Sequence, residues 1–196
     1  MPRMTILGYA LLSLLASEPL SGYDLAQRMK KPISYFWHAR HSQIYPELAR
    51  LEELGYVTHE VIEQVERPHK KRYTITQAGY ENLRDWLTKP TEIGPDRSEI
   101  VLKAYAIWMT DPRKAIDLFQ AHLRLHIERL EQYERDYALI EREKSSSLTF
   151  ASPLFGNYAT LRKGIGYERE YVDWCRWMID QAQAYLTQQE VTCKLQ

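Results

Sequence analysis

The sequence predicts a mainly α-helical chain carrying one β-hairpin and divided into two parts. Three observations lead there. The first 90 residues run helix, helix, helix, strand, strand, helix. A Pro- and Gly-containing stretch, Pro90 to Pro95, follows. Beyond it the apolar residues change to the spacing of long packed helices, about four heptads of it in the first stretch.

Each element has its own signal. From Met4 to Ser17, residues Ile6, Leu7, Ala10, Leu11, Leu14 and Leu15 recur at helical spacing, and Glu18-Pro19 closes a buried first helix. Ser21 reads as the N-cap of a second helix, with Leu25 and Met29 inward and an end near Lys31-Pro32. A third helix runs from Ser42 to Leu54. Ile44, Leu48 and Leu51 form its apolar stripe, Pro46 is expected in the first turn, and Gly55 is the C-cap.

Tyr56–Ile62 and Lys71–Thr76 both alternate in polarity around a charged tip, Glu63 to Lys70, so they predict a hairpin. Thr76 caps a fourth helix, Gln77–Leu87. Three helices closed by a hairpin make a winged helix-turn-helix, and the hairpin is its wing.

Past the linker, Ser98–Trp108 predicts a short apolar helix. Asp111-Pro112 opens a long one. Its seam is Ile116, Phe119, Leu123, His126, Leu130, Tyr133, Tyr137 and Ile140. Ser145 to Pro153 interrupts, and a last helix is expected over Asn157–Gln188. That helix has two apolar faces. One is Tyr158, Leu161, Ile165, Val172, Cys175, Ile179, Ala182 and Leu186, interrupted by Glu168; the other is Tyr167, Tyr171, Trp174 and Met178. Two apolar faces need two covers. The preceding helix is one, and a second copy of the chain is the simplest other. Leu123, Leu130, Tyr137, Tyr171, Val172, Trp174 and Ile179 are the residues expected at that dimer seam. The domains are therefore placed at 1–90 and 98–190, with a linker over 91–97.

Composition narrows the function. Of 196 residues, 44% are hydrophobic and 27% charged, values of a folded globular protein. The longest apolar run, Ile6–Ala16, is too short for a bilayer and has no secretion-signal flanks, so a cytoplasmic protein without membrane contact is expected. Cys175 and Cys193 form no CxxC pair, which excludes a zinc ribbon. No cofactor is expected: P-loop, dinucleotide and nucleophile-elbow motifs are missing from the sequence. His122 and His126 stand at metal-compatible i, i+4 spacing, but no third ligand follows, and a packed histidine is the simpler reading.

Net charge is zero, unlike that of a strongly basic DNA binder, yet basic residues collect locally. The third helix puts Ser42, Tyr45, Ala49 and Arg50 opposite its apolar stripe, with Gln43 at the flank. Hydroxyl, amide and guanidinium groups there suit phosphates and base edges. His38, Arg40 and His41 lie just upstream. Arg67, Lys70, Lys71 and Arg72 belong to the wing, where they can straddle a DNA backbone. The bland reading of the wing cations is a solvated face.

These segments resemble the PadR family of transcriptional regulators. Ser42 to Val57 (SQIYPELARLEELGYV) resembles its recognition-helix signature, Tyr-Pro followed by leucines and Leu-Glu before a glycine. Ile6–Leu12 and Ser21–Leu25 resemble the opening helices, and Arg72–Gly79 the second wing strand and the turn after it. The C-terminal half is similar in layout to longer members. The resemblance implies a homodimer that represses genes and lets go of DNA when a small molecule binds. Two recognition helices related by a two-fold axis would then sit in successive major grooves of double-stranded DNA, so an inverted-repeat operator is expected.

The aromatic residues Tyr105, Trp108, Tyr167 and Trp177, with Tyr171 and Trp174, have two readings. One is a pocket for a small aromatic or apolar effector; the other is dimer core. Two rival functions stand beside the repressor: a winged-helix module that binds protein rather than specific DNA, and an enzyme built on His122 and His126.

Overall fold

The computed structural model describes residues 4–29, 41–63, 70–91, 94, 97–142 and 148–194. The chain divides into two compact units, 1–92 and 93–196.

The first unit holds α1 (Ile6–Leu15), β1 (Leu20–Ser21), α2 (Gly22–Arg28), α3 (His41–Glu53), β2 (Val57–Ile62), β3 (Lys70–Ile75) and α4 (Gln77–Leu87). Thr5 starts α1 by accepting the Gly8 amide at 2.9 Å. Thr76 does the same for α4, accepting the Gly79 amide at 3.1 Å. Gly55 ends α3 at φ 72°, a left-handed turn that side chains disfavour. Leu11, Leu12, Leu25, Ile44, Leu48, Leu51 and Val57 then meet in one dry core, closed at its edge by Tyr9 stacked on Trp86 with centroids 4.2 Å apart.

Two details differ from expectation. Leu20–Ser21 forms a third strand, so the sheet order is β1-β3-β2, all antiparallel. Two residues are too few to show alternation, and the pairing is visible only once β3 lies beside them. Pro46 is the sixth residue of α3 and so falls in its second turn, not its first. There it deprives the Ser42 carbonyl of its i+4 donor.

The second unit holds α5 (Glu99–Tyr105), a 3₁₀ turn (Ile107–Met109), α6 (Pro112–Arg142) and α7 (Pro153–Lys194). Both long helices begin on a proline behind a side-chain cap. Asp111 accepts the Arg113 amide at 2.9 Å, and Ser152 accepts the Phe155 amide at 3.2 Å. Ser152-Pro153 is the same signature as Asp111-Pro112, and it starts α7 four residues before the expected Asn157.

α6 and α7 form an antiparallel hairpin. Phe119 meets Trp174 edge-on at 5.4 Å, His126 stacks on Tyr171 at 3.6 Å, and Tyr137 stacks on Tyr158 at 4.8 Å, its hydroxyl 2.6 Å from the other. The Glu168 that interrupts the α7 seam is the partner of His126, which interrupts the α6 seam. Their side chains are 4% and 9% exposed and hydrogen-bonded to each other.

Such a pair is costly to split. His126→Leu should lower stability by about 3–5 kcal/mol by leaving Glu168 buried alone, and His126→Leu with Glu168→Leu should recover most of the loss. Urea unfolding of the three proteins measures it. Equal stability of the single and double variants would contradict this account.

Candidate nucleic-acid interface

α3 is anchored on one face and open on the other. Ile44, Leu48 and Leu51 are fully buried, while Ser42, Gln43, Tyr45 and Ala49 are exposed. Glu47 is buried between the two faces. It accepts the Thr5 hydroxyl at 2.7 Å and the Arg50 guanidinium at 3.0 Å. Arg50, expected as a phosphate or guanine contact, is thus drawn back toward α1 and is 27% exposed along its side chain. The helical wheel alone could not reveal this, because the accepting carboxylate is held in place by a second donor, the Thr5 hydroxyl, 42 positions away.

Tyr45 is half exposed, and its ring lies directly on α2. A Cβ added at Gly22 would sit 2.5 Å from the Tyr45 ring, so a side chain at this position of α2 would have to push the ring aside.

The wing repeats the pattern of paired cations. Arg72 lies opposite Glu60 in the β2–β3 register and bonds it through Nε at 2.5 Å. Lys70 pairs with Asp24 of α2 at 3.0 Å. Lys71 is exposed on the same strand. A cleft of about 460 Å³ runs beside these pairs, lined by Glu18, Asp24, Arg28, Ile62, Lys70 and Arg72. His38, Arg40, Arg67 and the His41 side chain lie outside the described residues.

Asp24 is also half of a capping box. It accepts the Ser21 hydroxyl at 2.7 Å and the Ser21 amide at 3.3 Å, while Ser21 accepts the Asp24 amide at 3.1 Å. The Ser21 hydroxyl first, and then Lys70, hold the Asp24 carboxyl below its ordinary value of 3.8. The lower value belongs to the folded state, so this contribution is complete above the ordinary value and fades as pH falls through the folded one.

In the second unit the expected dimer seam is largely closed within one chain. Val172 and Ile179 are buried there, and Leu123, Tyr171 and Trp174 pack on the core of Ile100, Phe119, Cys175 and Ile179. Tyr137 is engaged with Tyr158 and Leu130 is half buried. The reason is length: α7 extends far enough back along α6 to cover its seam. Burial raises the Tyr171 hydroxyl to about 12 and the Cys175 thiol to about 11. The four effector-pocket candidates are all exposed, Tyr105 by 83% and Trp108 by 79%.

Among the described residues, no group of three His, Cys, Asp or Glu side chains is placed to hold a metal. His122 is neighboured by His126 at 6.3 Å and by Tyr171 at 6.4 Å. Burial, and then the nearby His126, lower its pKa, which favours the neutral ring.

A helix-turn-helix with an exposed third helix and a basic wing defines a winged-helix DNA-binding protein. The comparisons narrow the class. Residues 11–85 match the model of the transcriptional regulator PadR-like family, and residues 97–183 match that of the virulence activator alpha C-terminal region. The negative transcriptional regulator PadR of Bacillus subtilis is 37% identical over 172 residues, covering 87% of this chain and 94% of that protein. Its crystal structure with operator DNA superposes with a TM-score of 0.80 at 35% identity, covering 91% of this chain and 99% of that one. Its complex with p-coumaric acid gives a TM-score of 0.74 at 34% identity, with the same coverage. The chain belongs to the PadR-like family of transcriptional regulators. That family acts on DNA rather than as catalysts, which disposes of the His122–His126 enzyme. Among the described residues no helix is long and apolar enough to cross a membrane.

The Tyr45–Gly22 contact makes a prediction. Gly22→Ala should destabilise the protein by about 1–3 kcal/mol through overpacking, and adding Tyr45→Ala should relieve most of it. Denaturant melts of the single and double variants test this. Additive losses would mean that the ring does not rest on Gly22.

Proposed function

We propose that this protein is a homodimeric repressor that binds an inverted-repeat operator and leaves it when a small aromatic acid binds. The observation that carries the reading is α3, whose polar residues Ser42, Gln43 and Tyr45 stand exposed while its other face is locked in the core. Two further facts support it. The related Bacillus subtilis protein is a negative regulator crystallised with operator DNA and with p-coumaric acid.

Gln43 is the base reader, since an amide can pair bidentately with adenine. Tyr45 and Lys71 are backbone contacts. Arg72 can leave Glu60 for a phosphate, because that pair is about half exposed and such pairs are weak. Binding-site selection tests this assignment. Gln43→Ala should relax preference at one position of each half-site, at a cost of about 1–3 kcal/mol per contact, with half-sites about ten base pairs apart or a multiple of that. An unchanged preferred site would remove Gln43 as the reader.

The second copy is the partner for α5 and the turn after it. Val101, Leu102, Tyr105, Trp108 and Met109 are between 55% and 83% exposed, an apolar strip that water disfavours. Tyr105 and Trp108 therefore belong to the dimer face rather than to an effector pocket. Sedimentation at micromolar protein should give a dimer for the wild type and a monomer for Leu102→Asp with Trp108→Asp. A wild-type monomer would overturn the dimer, and a dimeric double variant would move it to another surface. In the cytoplasm, p-coumarate is the first effector to try, read as loss of DNA affinity.

A further inference from the structure

The first turn of α2 touches both of the elements that meet DNA. Leu20 and Ser21 pair with β3 opposite Tyr73 and Arg72. Gly22 carries the Tyr45 ring of α3. Asp24 holds Lys70 at the start of β3 while its other bonds close the capping box. Recognition helix and wing are thus referenced to one five-residue stretch, Leu20 to Asp24.

We propose that Asp24 is the positioning residue of the wing: its carboxylate latches Lys70, so Lys70 sets where the wing stands and does not contact phosphate. An ammonium 3.0 Å from a carboxylate that is itself bound by a hydroxyl and an amide is held by a preorganised acceptor. Side chains of both are 38% exposed, so the pair is accessible to salt yet not fully hydrated. An acidic residue beside a DNA-facing surface repels phosphate, so its presence needs a compensating role. The lowered pKa of Asp24, set first by the Ser21 hydroxyl and then by Lys70, agrees with a carboxylate that stays charged beside the ammonium. The inference rests on the wing meeting DNA, which Lys71 tests separately.

The experiment measures affinity of the full chain for a random-sequence 30-base-pair duplex across a salt series. Simple charge counting predicts that Asp24→Asn binds more tightly, because a negative charge is gone. A latch predicts the opposite, a loss of about two- to fivefold, the range of a partly exposed ion pair. Lys70→Met should lose about as much, with its log affinity against log salt slope equal to the wild type's. The double variant should be no worse than either single one. Lys71→Ala should flatten that slope by about one. Ser21→Ala separates cap from latch: it loosens the acceptor but leaves the carboxylate facing Lys70, so it should lower the melting temperature and cost clearly less DNA affinity than Asp24→Asn.

Tighter binding by Asp24→Asn, or a Lys70→Met slope reduced by about one, overturns the latch and makes Lys70 a phosphate contact. Unchanged affinity in Lys70→Met, with the slope still lost in Lys71→Ala, removes the latch alone. An unchanged slope in Lys71→Ala removes the wing reading, and the latch with it. Loss of affinity in Ser21→Ala equal to that in Asp24→Asn would transfer the effect to the helix cap.

Discussion

The carboxylate of Asp24 receives the Ser21 hydroxyl, the Ser21 amide and the Lys70 ammonium. One side chain therefore starts a helix and ties a strand to it. Ser21 is buried, but Asp24 and Lys70 are each 38% exposed along their side chains, so the energy of the ion pair is modest. Its weight comes from where it sits. The same turn supplies β1 to the sheet and the bare Gly22 on which Tyr45 rests. Moving it by an ångström would move helix and wing against each other.

A net charge of zero is an odd property for a DNA binder, and the fold accounts for it locally. Arg50, Lys70 and Arg72 are matched by Glu47, Asp24 and Glu60. Each acid fixes the position of its cation. The pairs differ in kind. Arg50–Glu47 is the most buried of the three and holds α3 to α1 through Thr5. Arg72–Glu60 is the most exposed and can exchange its carboxylate for a phosphate. A count of basic residues treats the three alike, whereas their partners assign them different work.

The helical unit obeys a similar rule in its core. His126 and Glu168 each look like an error in an apolar seam. Together they form a buried hydrogen-bonded pair, which costs solvation but penalises any slip of α6 along α7. A shift of one turn would leave both groups buried without partners. The edge-on contact of Phe119 with Trp174 tolerates small slides because aromatic packing is less directional. The buried pair, with the hydrogen bond between the Tyr137 and Tyr158 hydroxyls, supplies the register that such packing lacks.

The sequence by itself determined the local elements. Ser21, Thr76 and Asp111-Pro112 mark helix starts through hydrogen bonds to residues two or three positions away, and Gly55 marks an end through its own φ. The stripe Ile44, Leu48, Leu51 and the order of elements identified the winged helix-turn-helix, and the Tyr-Pro motif pointed to the family. What tertiary structure decided was pairing over distance. β1 exists because β3 lies beside it. Arg50 turns inward because Thr5 and Glu47 meet, and Glu168 answers His126 from another helix. Val172 and Ile179 are covered by the chain's own hairpin, while the apolar strip of α5 stays exposed. Periodicity reports which face of a helix is apolar. It carries no information about which surface will cover that face, because the contact energy depends on groups that only folding brings together.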